Sequence, residues 1–282
     1  MRAIGEVARA ALAASGGVAL PLAGFADAPY LEAAAEIVWV GSRLPAMHPR
    51  AVVTATPPPR GVPLRFHDIP LEGWSARLPV LGRAEIARAV LHAQRLRDAL
   101  VAHELPRGFG LLLAGRAPES VLALAVPRVR NLTSAYQRDD ANAVFDASLA
   151  LLGIGGGLTP SGDDLAGAAL FGRRFVAPGD ARWVDLAQCL SREVVSRSHR
   201  VSAALFSDLA CGESFAPLHE TVDKLAAGDQ EAALSAARHL AGIGHSSGWD
   251  MLAGLVIGMG LRPLFTPRFR IGLDRYAVAS PN

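Results

Sequence analysis

A glycine-rich run at residues 153–167 constrains this chain more than any other stretch. Glycine occupies four of the five positions from 153 to 157, and Pro160, Ser161 and two aspartates follow. Glycine permits positive φ angles and lets the backbone approach a ligand closely. Serine is a good N-cap, and aspartates are stabilised near the positive end of a helix dipole. The run therefore predicts a flexible loop that leads into a helix, and the apolar residues after Asp164 predict that this helix is buried.

The same unit occurs again at residues 242–254. Both copies contain Gly-Ile-Gly, then Ser-Gly-x-Asp, then a helix rich in small residues. Ser161 corresponds to Ser247, and Asp164 corresponds to Asp250. Each copy also follows a segment with the spacing of an amphipathic helix. A duplicated helix–loop–helix unit predicts two copies that meet around a pseudo-two-fold axis.

The two predicted helix N-termini form a candidate binding site. Helices this rich in alanine and glycine can pack very closely, so we expect the loops at 153–164 and 242–250 to lie side by side around a cleft if the helices run parallel. Backbone N–H groups at helix N-termini bind anions. Helix capping alone is the structural alternative, but capping does not require the long glycine run. The candidate substrate-binding residues are Gly156, Gly157, Thr159, Ser161, Gly162, Asp163, Ser246, Ser247, Gly248 and Asp250.

The two loops resemble a known family. Gly-Leu-Thr-Pro-Ser-Gly-Asp-Asp-Leu-x-Gly at 157–167 and Ser-Ser-Gly-x-Asp-x-Leu-x-Gly at 246–254 are similar to the AllH-like family. The segment 198–213 resembles a third family stretch, which more usually has threonine at Ser198 and His199. The resemblance covers the C-terminal half well and the N-terminal half only by general pattern. It implies a subunit of oxamate carbamoyltransferase, in the breakdown of allantoin.

Carbamoyl transfer, as the resemblance implies it, needs no metal and no covalent nucleophile. Positioning and electrostatic stabilisation are the main contributions of the protein. The candidate catalytic residues are Asp164, His245 and Arg200. The aspartates fit an anionic substrate less well than an amide NH₂ group, and they can also orient a cationic side chain or brace the loops. We expect no cofactor and no metal.

Two other functions stay open at this point. One is a non-catalytic accessory or regulatory subunit that binds a small molecule. The other is a hydrolase of ureide-like substrates, with a divalent metal held by the aspartates and His245. The sequence leaves open whether the chain alone is catalytic. The expected partners are a small-molecule substrate and other carbamoyltransferase subunits, and a homo-oligomer is also open.

Composition excludes several classes of function. The chain is 51% hydrophobic with a net charge of +2, which indicates a folded protein with ample material for a core. The basic residues are nearly all arginine, and none of their groups is interleaved with aromatic residues, so we expect no nucleic-acid partner. The two cysteines are too few for a disulfide framework or a thiolate metal site.

The N-terminal stretch imitates a signal peptide. Arg2 precedes an alanine-rich segment, and Ala26-Asp27-Ala28 looks like a cleavage site. Glu6 and Arg9 interrupt the apolar run, which instead has the spacing of a short amphipathic helix. No apolar segment reaches the length of a membrane span. The sequence therefore predicts a cytoplasmic protein with no membrane partner.

The patterns predict an α+β fold in two parts. Short β-branched or aromatic runs bounded by glycine or proline fill residues 17–80, which predicts a small, largely antiparallel barrel or sandwich. From residue 82 the spacing is helical. We therefore expect an N-terminal helix plus β-rich domain at 1–81 and a larger, mainly helical domain with both loops at 82–282. One long helix is expected from Ala181 to Leu209.

Overall fold

The structure is a computed structural model that describes residues 1–22 and 30–262. Six strands lie within the first 65 residues, and in the described part of the chain nine α-helices follow from Arg83 onward. The predicted α+β fold class, with a β-rich part followed by a larger helical part, is confirmed. The predicted division into domains at residue 82 stays a prediction. The cleavage-like Ala26-Asp27-Ala28 lies outside the described residues.

The strands form one curled sheet in the order β1-β5-β4-β3-β2-β6. Their bounds are β1 Ala3–Ile4, β2 Val18–Pro21, β3 Tyr30–Ala33, β4 Glu36–Gly41, β5 Ala51–Val53 and β6 Leu64–Arg65. All neighbouring strands are antiparallel except β4 and β5, which are parallel. The connection at residues 42–50 carries the chain back along the sheet, so β5 enters in the same direction as β4.

Strand β4 shows why the sheet is covered on both faces. Its side chains alternate, as they must in a strand. Val38 and Val40 belong to the core under helix α1, Glu6–Ala14. Ile37 and Trp39 point the other way, toward the helical part, where Trp39 packs edge-to-face on Phe215 with ring centroids 5.8 Å apart. The sheet is thus packed between α1 and the following helices.

The helical part begins at Arg83. The remaining bounds are α2 Arg83–His103, a 3-10 helix Gly108–Ala114, α3 Ser120–Gln137, α4 Ala141–Leu149, α5 Ser161–Val176, α6 Ala181–Arg197, α7 Arg200–Cys211, α8 Ala216–Ala227, α9 Gln230–Ala241 and α10 Ser247–Gly258. Among the described residues no helix is long and apolar enough to cross a membrane.

The long helix predicted from Ala181 to Leu209 is wrong, because the chain breaks it at Ser198 and His199. The backbone of Ser198 is extended, with φ −141° and ψ −179°, and its hydroxyl donates to the carboxylate of Asp163. The helical spacing alone does not reveal a bond to a residue so far away in the sequence. The result is two helices, α6 and α7.

Helices α5 and α10 lie side by side at the centre of the helical part. A β-carbon at Gly258 would lie 1.9 Å from the Ala169 carbonyl oxygen, and one at Gly172 would lie 2.6 Å from that of Leu255. Gly172 and Ala169 are the repeat counterparts of Gly258 and Leu255. The contacts are therefore reciprocal, and the two helices run parallel with their N-termini at the same end.

A buried arginine joins the sheet to helix α7. The Arg50 guanidinium makes two bonds to the Asp208 carboxylate, at 2.5 and 2.8 Å, and a third to Glu36 at 2.6 Å. Burial raises the pKa of Asp208 to about 6, although Arg50 opposes this shift. Breaking a buried ion pair leaves an uncompensated charge, so this contact fixes α7 against the sheet.

The glycine contacts make a stability prediction. Gly258→Ala should lower the free energy of unfolding by about 1–3 kcal/mol, because the helices must separate to admit a methyl group. Gly242→Ala is the control, since its backbone angles are helical and its β-carbon would have no atom closer than 3.4 Å. Urea denaturation measures both. Equal stabilities of the two variants would contradict the packing described.

Candidate functional site

The two glycine loops have the same backbone bonds. The Gly162 N–H donates to the Ile154 carbonyl at 2.8 Å, and the Gly248 N–H donates to that of Ile243 at 3.1 Å. A β-carbon at either Gly162 or Gly248 would lie within 2.0 Å of a carbonyl oxygen at the end of the preceding helical segment. These two glycines are therefore required by packing, and they lie behind the loop surface. The duplication seen in the sequence is also a duplication of local structure.

The loops meet across the pseudo-two-fold axis through hydroxyl groups. Thr159 Oγ1 lies 3.0 Å from Ser247 Oγ, and Ser161 Oγ lies 3.4 Å from Ser246 Oγ. All four hydroxyls belong to the floor of an open cleft of about 970 Å³. The rest of its lining from the two loops is Gly155, Gly156, Gly157, Leu158, Gly244 and His245. The loops lie side by side, as their composition predicts.

The other wall of the cleft comes from residues 105–122, which the sequence did not indicate. Two exposed arginines, Arg107 and Arg116, flank the 3-10 helix there, together with Glu119. The Arg107 guanidinium donates to the backbone carbonyl of His245 at 3.4 Å, which ties this wall to the second loop. Two arginines around a Gly-Phe-Gly turn are too weak a sequence pattern to indicate a binding site.

Asp163 braces the first loop from behind and does not line the cleft. Its Oδ1 accepts from the Gly153 N–H at 2.7 Å, and its Oδ2 accepts from the hydroxyls of Ser198 and Ser202, the latter at 2.6 Å. Ser202 lies on α7, so the start of the loop is fixed to the helix that Arg50 holds. Both carboxylate oxygens of Asp163 thus have partners within the protein, and its role in substrate binding stays a prediction. In the second copy Trp249 takes this position and packs on Gly110 instead.

Asp164 and Asp250 lie buried beneath the hydroxyls. They are 5% and 0% exposed, and neither is part of the cleft surface. The Phe109 N–H donates to Asp250 Oδ1 at 2.6 Å. Burial raises the pKa of Asp250 to about 7, and the Phe109 N–H and the hydroxyls of Ser161 and Ser246 oppose the rise.

The pKa of Asp164 is raised well above its usual value. The largest cause is burial, and the neighbouring Asp250 carboxylate adds to it, while the Ser247 and Thr159 hydroxyls oppose it. Each aspartate is thus associated with the serine of the other copy, Asp164 with Ser247 and Asp250 with Ser161. Two buried carboxyl groups with hydroxyls above them can hold protons close to a bound ligand.

The remaining two catalytic candidates have different positions. His245 is exposed and lines the cleft. Arg200 is not part of the cleft lining, because its guanidinium pairs with Glu32 on β3 at 2.9 Å. Arg200 therefore lies outside the cleft that the glycine loops form, and its catalytic role stays a prediction. Its place at the start of α7 follows from the break at Ser198.

Two glycines of the first loop face open space. A β-carbon at Gly156 or Gly157 would have no atom within 4 Å. Gly157 has a φ of +89°, which favours glycine, whereas Gly156 is not among the residues with positive φ. Neither backbone conformation nor crowding requires glycine at 156. Its lack of a side chain keeps this part of the cleft open.

A metal site is not evident. Within residues 1–22 and 30–262, no group of three or more histidine, cysteine, aspartate or glutamate side chains is arranged to hold a metal ion. His245 does not join the aspartates beneath the floor.

Comparison with known proteins gives a family match over part of the chain. A family model described as oxamate carbamoyltransferase subunit AllH matches residues 151–259. The match runs from the end of α4 to the end of α10 and contains both loops, so the resemblance drawn from the loop residues is confirmed there. No curated protein and no solved structure matches the chain.

The buried carboxyl group of Asp250 predicts a pH-dependent stability. A carboxyl group whose pKa is raised by folding stabilises the folded state fully below its unfolded pKa, and this contribution is lost as the pH rises through the folded value. With a folded pKa of about 7, the loss for this group between acid and slightly alkaline pH is on the order of 4 kcal/mol. The Asp250→Asn variant has no ionisable group at this position, so its stability should not show this loss.

Urea denaturation of wild type and Asp250→Asn across this pH range measures the effect. The variant should gain stability relative to wild type as the pH rises from about 4 to about 8. A difference between the two proteins that stays constant with pH would show that Asp250 is not buried as described.

Proposed function

We propose that this protein binds a small ligand that carries an anionic group and an amide or carbamoyl group, at the cleft between the paired glycine loops. In this proposal it contributes to carbamoyl transfer, as in oxamate carbamoyltransferase, by positioning the ligand. It does so in a cytoplasmic assembly with other subunits. The matched family model, described as a subunit of that enzyme, supports the reaction class.

The observation that carries this proposal is the junction of the two loops. Thr159 and Ser161 meet Ser247 and Ser246 at the N-termini of two parallel helices, on the floor of an open cleft. Parallel helices direct the positive ends of both dipoles to the same place, which favours a negatively charged group there. Helix capping does not require such a junction.

The cleft offers complementary groups for both ends of the ligand. Arg107 and Arg116 provide positive charge on the opposite wall, suited to a carboxylate or a phosphate. The four hydroxyls can donate to a carbonyl oxygen or accept from an amide N–H. His245, which also lines the cleft, can place a positive charge beside an anionic group of the ligand. This combination is what carbamoyl transfer requires of a protein, because donors aimed at developing charge are its main catalytic contribution.

The surroundings of the cleft favour a partner subunit. Two apolar residues of the lining, Leu105 and Val121, are 82% and 53% exposed, and Leu124 beside them is 80% exposed. Exposed apolar groups next to a polar cleft are typical of interaction surfaces. A partner that covers this edge would exclude water and strengthen the electrostatic interactions in the cleft. The chain alone then binds ligand and the assembly turns it over.

Calorimetry with oxamate and with carbamoyl phosphate tests the proposal on the purified chain. Binding of at least one of these ligands, weakened by salt because the arginines contribute, is the expected result. Failure of both to bind, to the chain alone and to its complex with the partner subunits, would end the carbamoyl proposal.

Substitution of Gly156 by alanine tests whether the ligand lies at the first loop. Gly156→Ala should weaken ligand binding by about tenfold or more, because the methyl group enters the cleft. The same variant should be as stable as wild type, or more stable by about 0.4–1 kcal/mol, because alanine restricts the unfolded chain.

Gly242→Ala, in the second copy but outside the cleft lining, is the control and should bind ligand as wild type does. Calorimetry and thermal unfolding on the same samples separate the two effects. Normal binding by Gly156→Ala would contradict the placement of ligand at the first loop.

A further inference from the structure

The two aspartates beneath the cleft are related by the pseudo-two-fold axis but have different surroundings. A backbone N–H, that of Phe109, donates to Asp250 Oδ1 at 2.6 Å. Among the described residues no backbone N–H donates to Asp164, whose associated groups are the Ser247 and Thr159 hydroxyls. An N–H group can only donate, whereas a hydroxyl can donate or accept. The surroundings therefore stabilise a charge on Asp250 and permit a proton on Asp164.

The unpartnered oxygens support the same assignment. Oδ2 of Asp164 and Oδ2 of Asp250 are both buried, and in the described part of the chain neither has a hydrogen-bond partner. Two neighbouring buried carboxylates, each with one oxygen that lacks a partner, would be very unfavourable if both were charged. If the pair holds one proton, it carries only one negative charge, and the protonated carboxyl group can donate a hydrogen bond.

We propose that Asp164 and Asp250 hold one proton between them, with the charge on Asp250, and that they thereby set opposite hydrogen-bond directions for the serines above them. This inference rests on the function proposed above. The hydroxyls of Ser161 and Ser246 lower the pKa of Asp250, so in this arrangement their hydrogens point toward its charge. Ser161 Oγ then presents lone pairs to the cleft and accepts from a ligand N–H. Ser247, beside the neutral Asp164, is free to donate to a ligand oxygen.

The consequence is selectivity for a carbamoyl or primary amide group. Such a group presents one N–H donor side and one carbonyl acceptor side, which match the Ser161 and Ser247 positions respectively. A carboxylate presents two acceptors and leaves the Ser161 side unmatched. A binding site with buried polar groups rejects a ligand that leaves one of them unpaired. Asp164 and Asp250 are thus positioning residues that act through the serines.

Several charged groups bear on the titration of this pair. Raised pKa values of both aspartates agree with the shared proton, and burial is the largest cause for each. Asp164 also feels the charge of Asp163 on its own helix, and the phenol of Tyr30 on β3 feels the charge of Asp164. The charged and titratable groups on the cleft side are Arg107, Arg116, Glu119 and His245.

Calorimetry with oxamate and oxalate on wild type, Asp164→Asn and Asp250→Asn tests the inference. Oxalate has the size of oxamate but replaces the amide with a carboxylate. Wild type should prefer oxamate by about tenfold or more, the value of one well-placed hydrogen bond to a charged network. Asp164→Asn should keep this preference within about threefold, since asparagine replaces a neutral acid. Asp250→Asn should lose it.

The pH profile separates this role from a structural one. Oxamate affinity should fall by about tenfold as the pH decreases from about 8 to about 5.5, because Asp250 gains a proton. Asp164→Asn should keep this dependence and Asp250→Asn should lose it. Loss of selectivity and of pH dependence in Asp164→Asn alone, or equally in both variants, would overturn the inference.

A measurement without ligand keeps the inference testable if the proposed function fails. Carboxyl resonances of isotope-labelled aspartate should include one that titrates near neutral pH and disappears in Asp250→Asn. The resonance that disappears in Asp164→Asn should stay in its protonated position through neutral pH. Titration of both in the acid range would overturn the shared proton, whatever the protein binds.

Discussion

The parallel contact between α5 and α10 is the constraint on which the rest of the structure depends. Gly258 rests on the Ala169 carbonyl and Gly172 rests on that of Leu255, so each helix uses the same position of the repeat against the other. Backbones that approach this closely require glycine at the contact. Because the helices run parallel, both N-termini, both glycine loops and both serine hydroxyls reach the same end, where the cleft forms.

The two copies have diverged around this shared centre. In the first, Asp163 ties the loop to α7, and α7 is tied to the sheet through Asp208 and Arg50. In the second copy, Trp249 packs against Gly110 of the 3-10 helix, and Arg107 immediately precedes that helix. The first copy is thus anchored to the sheet, and the second is anchored to the wall of the cleft that carries Arg107 and Arg116. A symmetric pair of helix N-termini with asymmetric surroundings is suited to an asymmetric ligand.

The sequence predicted the parts of this arrangement that depend on local pattern. The loops, their serines and the buried helices follow from glycine positions and spacing, and the β-rich character of the first part follows from apolar runs between glycine and proline. It did not predict that Asp163 faces away from the cleft, since adjacent aspartates look alike until the helix is placed. It also did not indicate Arg107 and Arg116, which reach the cleft only through tertiary packing. The break between α6 and α7 depends on a bond from Ser198 to a residue 35 positions away.

The central claim is that the two loops form one binding site. Nuclear magnetic resonance of protein labelled at glycine amides, titrated with oxamate, tests it most directly, since glycines of both loops line the cleft. The account predicts that Gly155, Gly156 and Gly157 shift together with Gly244 and give one common dissociation constant, while Gly179 and Gly228, outside the cleft lining, stay unchanged. Shifts confined to one loop, or different constants for the two loops, would contradict it.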